Sequence, residues 1–199
     1  MKHLVFIVSL FLTSSISFSQ EISVAEPDFE GEIIYANPNG ETQALEFQTA
    51  SVKTKASIGM QLTGIGKVKQ TVSVRGTQST TVIPHDSILH FVYNHGSNRK
   101  NPRNFIQLVR FYKKGRNRVA EISTASATSG EVSSGDIDFI SYKATKYGEA
   151  SYLVTVTNLE SGHYAFFVGE EESTNAHLFS IEGFDTKKER TKKKKSKND

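Results

Sequence analysis

The chain has 199 residues, with 24 Lys and Arg against 21 Asp and Glu, a formal charge of +3, and neither cysteine nor tryptophan. Without cysteine there is no disulfide, no thiol nucleophile and no thiolate metal site, so packing alone must hold the fold. A chain of this length buries roughly two thirds of its unfolded surface and needs only one core.

The first residues, MKHLVFIVSLFLTSSISFSQ, place Lys2 ahead of an apolar run from Leu4 to Leu12, followed by small residues. This is the pattern of a signal peptide, and the run is far shorter than the roughly 20 residues a spanning helix needs. Ser17 and Ser19 stand where a cleavage site wants small side chains, so cleavage is expected before Gln20. The expected organisation is therefore a signal peptide at 1–19, a lead segment at 20–26, one domain at 27–184 and a tail at 185–199. The tail is lysine-rich: KKERTKKKKSKND, from Lys187 onward, holds eight basic residues against two acidic ones, which leaves the body before it mildly acidic. Such a run is too charged to fold alone, and a disordered end is expected.

Period two dominates between these ends. In GKVKQTVSVRG, Val68, Val72 and Val74 share one side while Lys67, Lys69, Thr71, Ser73 and Arg75 take the other, as in a half-buried strand. In chain order, EGEIIY, ALEFQT, SVKTKAS, GKVKQTVSVRG, TTVIP, SILHFVYN, NFIQLVRFYKK, NRVAEIS, IDFISYK, SYLVTVTN, HYAFFVG and AHLFSIEG read as strands, bounded by Gly, Pro, Asn or Ser clusters. No segment sustains a helical apolar period, so no helices are available for parallel crossovers. The expected fold is all-β: a single antiparallel β-sandwich, immunoglobulin-like or jelly-roll-like. A membrane-spanning barrel would need longer strands, each with a lipid-facing apolar side. The longer polar connections, at 94–102, 124–135 and 169–175, are where a site could be added without disturbing the core.

Five-residue spacing in HDSILHFVYNHG separates His85, His90 and His95, with Asp86 beside the first. On a strand, His85 and His95 fall on the Leu89 face and His90 on the other, so one ion cannot reach all three. Recruitment of His163 or His177 from distant strands would be required, and no metal or cofactor is expected. GIGK, at 64–67, has no helix behind it and reads as a turn. The pairs Glu30 with Glu32 and Asp136 with Asp138 read as solvated strand faces, and the adjacent acids of GEEESTN lack the spacing of a calcium loop.

NFIQLVRFYKKGRNR is the unusual strand, with Phe105, Val109 and Phe111 on one face and Ile106, Leu108 and Tyr112 on the other. A sandwich strand needs only one apolar face. GHYAFFVG repeats the feature, with Tyr164, Phe166 and Val168 against Ala165 and Phe167. Either the chain covers the second face itself or a partner docks there. A protein partner in the cell envelope, docking on Phe105, Ile106, Leu108, Phe111, Tyr112, Tyr164, Phe166 and Phe167, is the leading expectation. The alternative is an anionic polysaccharide, lipid headgroup or nucleic acid held by Arg99, Lys100, Arg103, the basic segment Lys113 to Arg118, and Lys192, Lys193, Lys194 and Lys195 of the tail. An enzyme, most simply a hydrolase, ranks behind both.

FEGEIIY, LEFQTASVKTKAS, GIGKVKQTVSVRG, NPRNFIQLVRFYKKGRNR, IDFISYKATKYGEASYLVT and SGHYAFFVG, in that order, resemble a group of uncharacterised exported β-sandwich proteins of Gram-negative envelope bacteria. The resemblance spans about residues 29–182, with KYGEASYLV its most specific piece. It implies one domain and a periplasmic, outer-envelope or secreted location, and it carries no activity and no site residue. His85, His95 and the lysine tail depart from the group's pattern.

Overall fold

The computed structural model describes residues 22–56, 67–126, 139–169 and 174–183. The expected signal peptide, the tail, Asp136 with Asp138, Glu170 to Glu172 and the glycines of GIGK lie outside these ranges. Among the described residues there are thirteen strands and one 3-10 turn, Pro102–Asn104, but no α-helix.

The strands are β1 (Ile33–Ala36), β2 (Thr42–Ala44), β3 (Glu46–Thr49), β4 (Ser51–Ala56), β5 (Lys67–Arg75), β6 (Val82–Ile83) and β7 (Ile88–Asn94). They continue as β8 (Ile106–Lys114), β9 (Asn117–Ser126), β10 (Lys143–Tyr147), β11 (Ser151–Thr157), β12 (Gly162–Val168) and β13 (Asn175–Ile181). One sheet has the order β10-β11-β7-β1-β2, and the other β3-β13-β12-β8-β9-β5-β4 with β6 added beside β13. Pairing is antiparallel throughout except for the two-residue contact of β6 with β13.

The expected all-β fold is present, and the larger sheet adds a feature that alternation alone does not convey. Its two edge strands, β3 and β4, are consecutive pieces of one segment: β3 pairs with β13 and β4 with β5. For one segment to serve both edges, the sheet has to curl into a half-barrel. Gln48 fastens the curl, accepting from Arg75 N at 2.9 Å and donating to Arg75 O at 3.2 Å.

Curling gives the sheet two buried faces. The convex face of β8, β12 and β13 packs on the flat five-stranded sheet, and this core holds Ile33, Tyr35, Leu89, Phe91, Tyr93, Ile106, Leu108, Tyr152, Tyr164, Phe166 and Phe179. Phe91 lies edge-on to Phe166 at 4.9 Å and tilted against Phe179 at 5.0 Å. The concave face encloses a second core of Ala50, Val72, Val74, Val109, Phe111, Ala120, Ala165, Ala176 and Leu178. Four of its nine members are alanines because the inside of a tight curl has less room than its outside. In β12 this puts Ala165 inward between Tyr164 and Phe166, which point to the other core.

Both apolar faces of NFIQLVRFYKK are thereby covered by the chain itself. Phe105, Ile106 and Leu108 are buried in the inter-sheet core with Tyr164 and Phe166, and Phe111 is buried in the curl, where Phe167 packs half-buried beside it; Tyr112 is half-buried. The expectation that these eight residues offer a partner an open surface is corrected for that reason: β8 and β12 are middle-layer strands. Full burial of each such side chain contributes roughly 1.5–3 kcal/mol, which is ample reason to keep them apolar.

IDFISYK is not a continuous strand. Phe139 makes a single bridge to Val109, and Ile140 N donates to Leu108 O at 2.8 Å. This segment fills the edge of β8 that β9 vacates, since β9 pairs with β8 only at Asn117 to Val119. Beyond that point β4, β5 and β9 run on as a ribbon. Residues 22–27 form a strap: Val24 N donates to Tyr147 Oη at 2.8 Å, and Pro27 O accepts from Asn94 Nδ2 at 2.7 Å.

Candidate functional site

A cleft of about 890 Å³ opens where the two sheets end. The five-stranded sheet and its neighbouring loops supply Glu30, Gly31, Tyr93, His95, Gly96, Ser97 and Lys100, while the curled sheet supplies Phe47, Val168, Gly169, Asn175 and His177. Three devices set its shape. The first is β-pairing: Phe47 of β3 stands opposite His177 of β13, and the rings meet nearly edge-on with centroids 5.2 Å apart. The second is aromatic stacking beneath the loop after β7, where His95 lies parallel to Phe105 at 4.1 Å and Phe105 packs on Tyr152 at 5.6 Å. The third is loop anchoring: Tyr152 Oη donates to Lys100 O at 2.6 Å, His95 N to Ala150 O at 3.1 Å, and Asn98 Nδ2 to Gly148 O at 3.0 Å.

Gly96 is required by this arrangement. Its φ is +71°, and a Cβ there would stand 2.8 Å from Glu30 Oε2, so the Glu30 carboxylate lies directly on the loop backbone. Phe47 is 58% exposed although its partner His177 is buried. A large aromatic ring is thus left facing solvent at the mouth of a cleft edged by polar groups. Burial holds the His177 imidazole down at about 4, so near neutrality it is uncharged and offers one ring nitrogen as donor and the other as acceptor.

The histidines singled out by spacing do not converge. His85 is exposed; His90 is half-buried on the outer face of the five-stranded sheet, with its Nδ1 3.3 Å from Thr155 Oγ1; His95 lines the cleft. His163 lies inside the curl, separated from His90 by the inter-sheet core, and His177 is the one that shares the cleft with His95. Among the described residues, no three His, Asp or Glu side chains are grouped to hold a metal ion.

Of the basic candidates, Arg99, Lys100 and Arg103 are exposed, and Lys100 reaches the cleft. Lys192 to Lys195 lie outside the described residues. Arg118 is a correction: it was expected in a basic surface segment, yet it is fully buried. It stands in phase with Ala120 and Ile122 and points into the curl. There its guanidinium donates to Glu46 Oε1 at 3.0 Å and to Arg75 O at 3.0 Å. Burial pulls the Arg118 guanidinium below its ordinary value, and Glu46 offsets only part of that. Burial by itself would raise the Glu46 carboxyl, but hydrogen bonds from Ser79, Gln48 and the Thr80 N–H, together with Arg118, hold it below the usual range.

Ser79 and Ser180 extend this network: Ser79 N donates to Ser180 Oγ at 3.1 Å, and His163 Nδ1 lies 2.8 Å from the same Oγ. Ser180 and His163 are each 1% exposed, so this histidine–serine pair plugs one end of the curl and has no path to a substrate. Burial first, then Arg118, Lys113 and Arg110, depress the His163 imidazole to about 4.

Comparison with protein-family models, with curated proteins and with solved structures finds no match. The functional reading rests on the chain's own residues.

Proposed function

We propose that the protein is a non-enzymatic binding module of the cell envelope or secreted space, and that its ligand is a sugar ring seated in the inter-sheet cleft. The observation that carries this reading is Phe47, a ring left 58% exposed against the buried His177 at the cleft mouth. A pyranose has one flat face of C–H groups and an edge of hydroxyls. The face suits an exposed aromatic ring, and the edge suits convergent polar groups, which Glu30, Ser97 and His177 supply here. Lys100 in the same lining favours a saccharide that carries a carboxylate or phosphate, and it joins this reading to the anionic-polysaccharide alternative drawn from composition. The signal-peptide pattern of the first nineteen residues supports the exported location in this reading. Docking of a protein on the faces of β8 and β12 has lost its surface, since both cores consume those faces.

Titration calorimetry of the mature chain against a panel of neutral and acidic oligosaccharides tests the proposal. Binding of at least one acidic sugar is expected, weakened about tenfold or more by Phe47→Ala, the loss of one stacked aromatic contact. Equal affinity of wild type and Phe47→Ala would remove Phe47, and with it the cleft, from the reading.

A further inference from the structure

The strap at 22–27 is held largely by polar contacts. Ile22 and Pro27 are buried, but Ser23 and Ala25 are exposed and Val24 and Glu26 only half-buried. Two anchors dock it. Tyr147 Oη accepts from Val24 N at 2.8 Å and donates to Val24 O, and the Glu26 carboxylate accepts from the N–H groups of Glu149 and Ala150 at 2.8 and 3.0 Å. A segment with so few buried apolar contacts opens at a lower free energy than the strands of either core.

The groups that hold the strap also hold a wall of the cleft. The turn that grips Glu26 through its N–H groups presents carbonyls to the loop after β7: Ala150 O accepts from His95 N at 3.1 Å, and Gly148 O from Asn98 Nδ2 at 3.0 Å. The peptide group between Gly148 and Glu149 therefore donates to Glu26 and accepts from Asn98, and each bond polarises the other. A second link runs through Asn94, whose Nδ2 donates to Pro27 O at 2.7 Å while its Oδ1 accepts from Gly96 N at 2.8 Å. The third is the chain itself, since Glu30, just beyond the strap, lays its carboxylate on the Gly96 backbone. His95, Gly96 and Ser97 line the cleft, whereas Val24, Glu26 and Tyr147 do not. Covering the sheet would need only the apolar contacts of Ile22 and Pro27. It does not require one peptide group and one asparagine side chain to serve strap and cleft loop at once.

We infer that the strap is the positioning element of the cleft: docked through Glu26 and Tyr147 on the turn at 148–150, it sets the 94–98 loop for the sugar. The inference rests on the saccharide reading of the cleft. Glu26 and Tyr147 are positioning residues, and strap docking and sugar binding favour each other.

The test compares the full mature wild type with Glu26→Ala, Tyr147→Phe and the double variant, by amide hydrogen exchange without ligand and by titration calorimetry against neutral and uronate-containing trisaccharides. Without sugar, the Val24, His95 and Gly96 amides should exchange about fivefold faster or more in the double variant, while β12 stays slow. The tightest trisaccharide should bind about fivefold more weakly or worse. Loss of the Glu26 charge by itself would favour an acidic sugar, so weakening reports position and not charge. Saturating trisaccharide should in turn slow the Val24, Glu149 and Ala150 amides of wild type by a matching factor, because the coupling is reciprocal. Tyr147→Phe removes one hydroxyl and keeps the ring, and it gives the same comparison if the double variant does not fold. Loop amides or affinity unchanged in a folded double variant would overturn the inference and leave the saccharide reading standing, as would a strap that stays protected there. A wild type that binds none of the trisaccharides would overturn the saccharide reading, and this inference with it.

Discussion

Arg118 is buried without a trace of exposure, and its charge is tolerable only because Glu46 and two backbone carbonyls surround it. Breaking such a pair from one side leaves the other charge stranded. Arg118→Met should therefore cost about 3–5 kcal/mol in urea unfolding, and adding Glu46→Leu should recover part of that loss. Additive losses in the double variant would show that the two side chains do not act as a pair. His163 and His177 act through protons: both are held neutral in the fold down to about 4, against an ordinary value of 6.5. Between these values the unfolded chain binds protons that the folded chain refuses, so stability present above pH 6.5 drains away as pH falls toward 4. Each histidine contributes at most a few kcal/mol to that slope. His163→Gln/His177→Gln should flatten the fall in thermal midpoint between pH 6.5 and 4.5, and an unchanged slope would assign it to the carboxylates instead.

The lead strap and the turn between β10 and β11 show how one element holds another. Ser151 beside it and the Glu149 and Ala150 N–H groups keep the Glu26 carboxylate below its usual range, the two N–H groups donating to it at 2.8 and 3.0 Å. That carboxylate occupies the space where a side chain on residue 148 would stand: a Cβ there would meet Glu26 Oε1 at 2.0 Å, and φ is +54°. Gly148→Ala should cost roughly 1–3 kcal/mol, combining backbone strain with eviction of Glu26. Hydrogen exchange should show residues 22–27 deprotected while β8 and β12 stay slow, and uniform deprotection would instead make the strap part of the global unfolding unit. The period-two pattern revealed β5, β7, β8, β11, β12 and β13 because their alternation is local information. It also raised the right question about the second apolar face of β8. The answer depended on β3 and β4 pairing with opposite edges of one sheet, a non-local choice with no signature in either segment. Arg118 did carry a signal, its phase with Ala120 and Ile122, which the adjacent GRN turn residues masked. The pairing of Phe47 with His177 joins residues 130 positions apart, so only register reveals it.

At the scale of the whole molecule, two cores share β8, β12 and β13 as a middle layer, with the flat sheet on one side and the curl on the other. Among the described residues this buries most of the large apolar side chains and leaves an aromatic-edged cleft at the surface. The 94–102 loop, recognisable from its Asn, Gly and Pro content as a place for a site, contributes His95, Gly96, Ser97 and Lys100 to that cleft. The cleft is thus where the two sheets and a strand-connecting loop meet, the position at which small changes in loop sequence alter binding without touching either core. The most direct test is an NMR titration of the mature chain with the tightest acidic oligosaccharide from the binding panel, followed at backbone amides and aromatic side chains. The account predicts saturable shifts at Phe47, Tyr93, His95, Val168 and His177, with the ribbon at Lys53 and Lys55 unmoved. Shifts confined to the ribbon, or none at the cleft under saturating sugar, would contradict it.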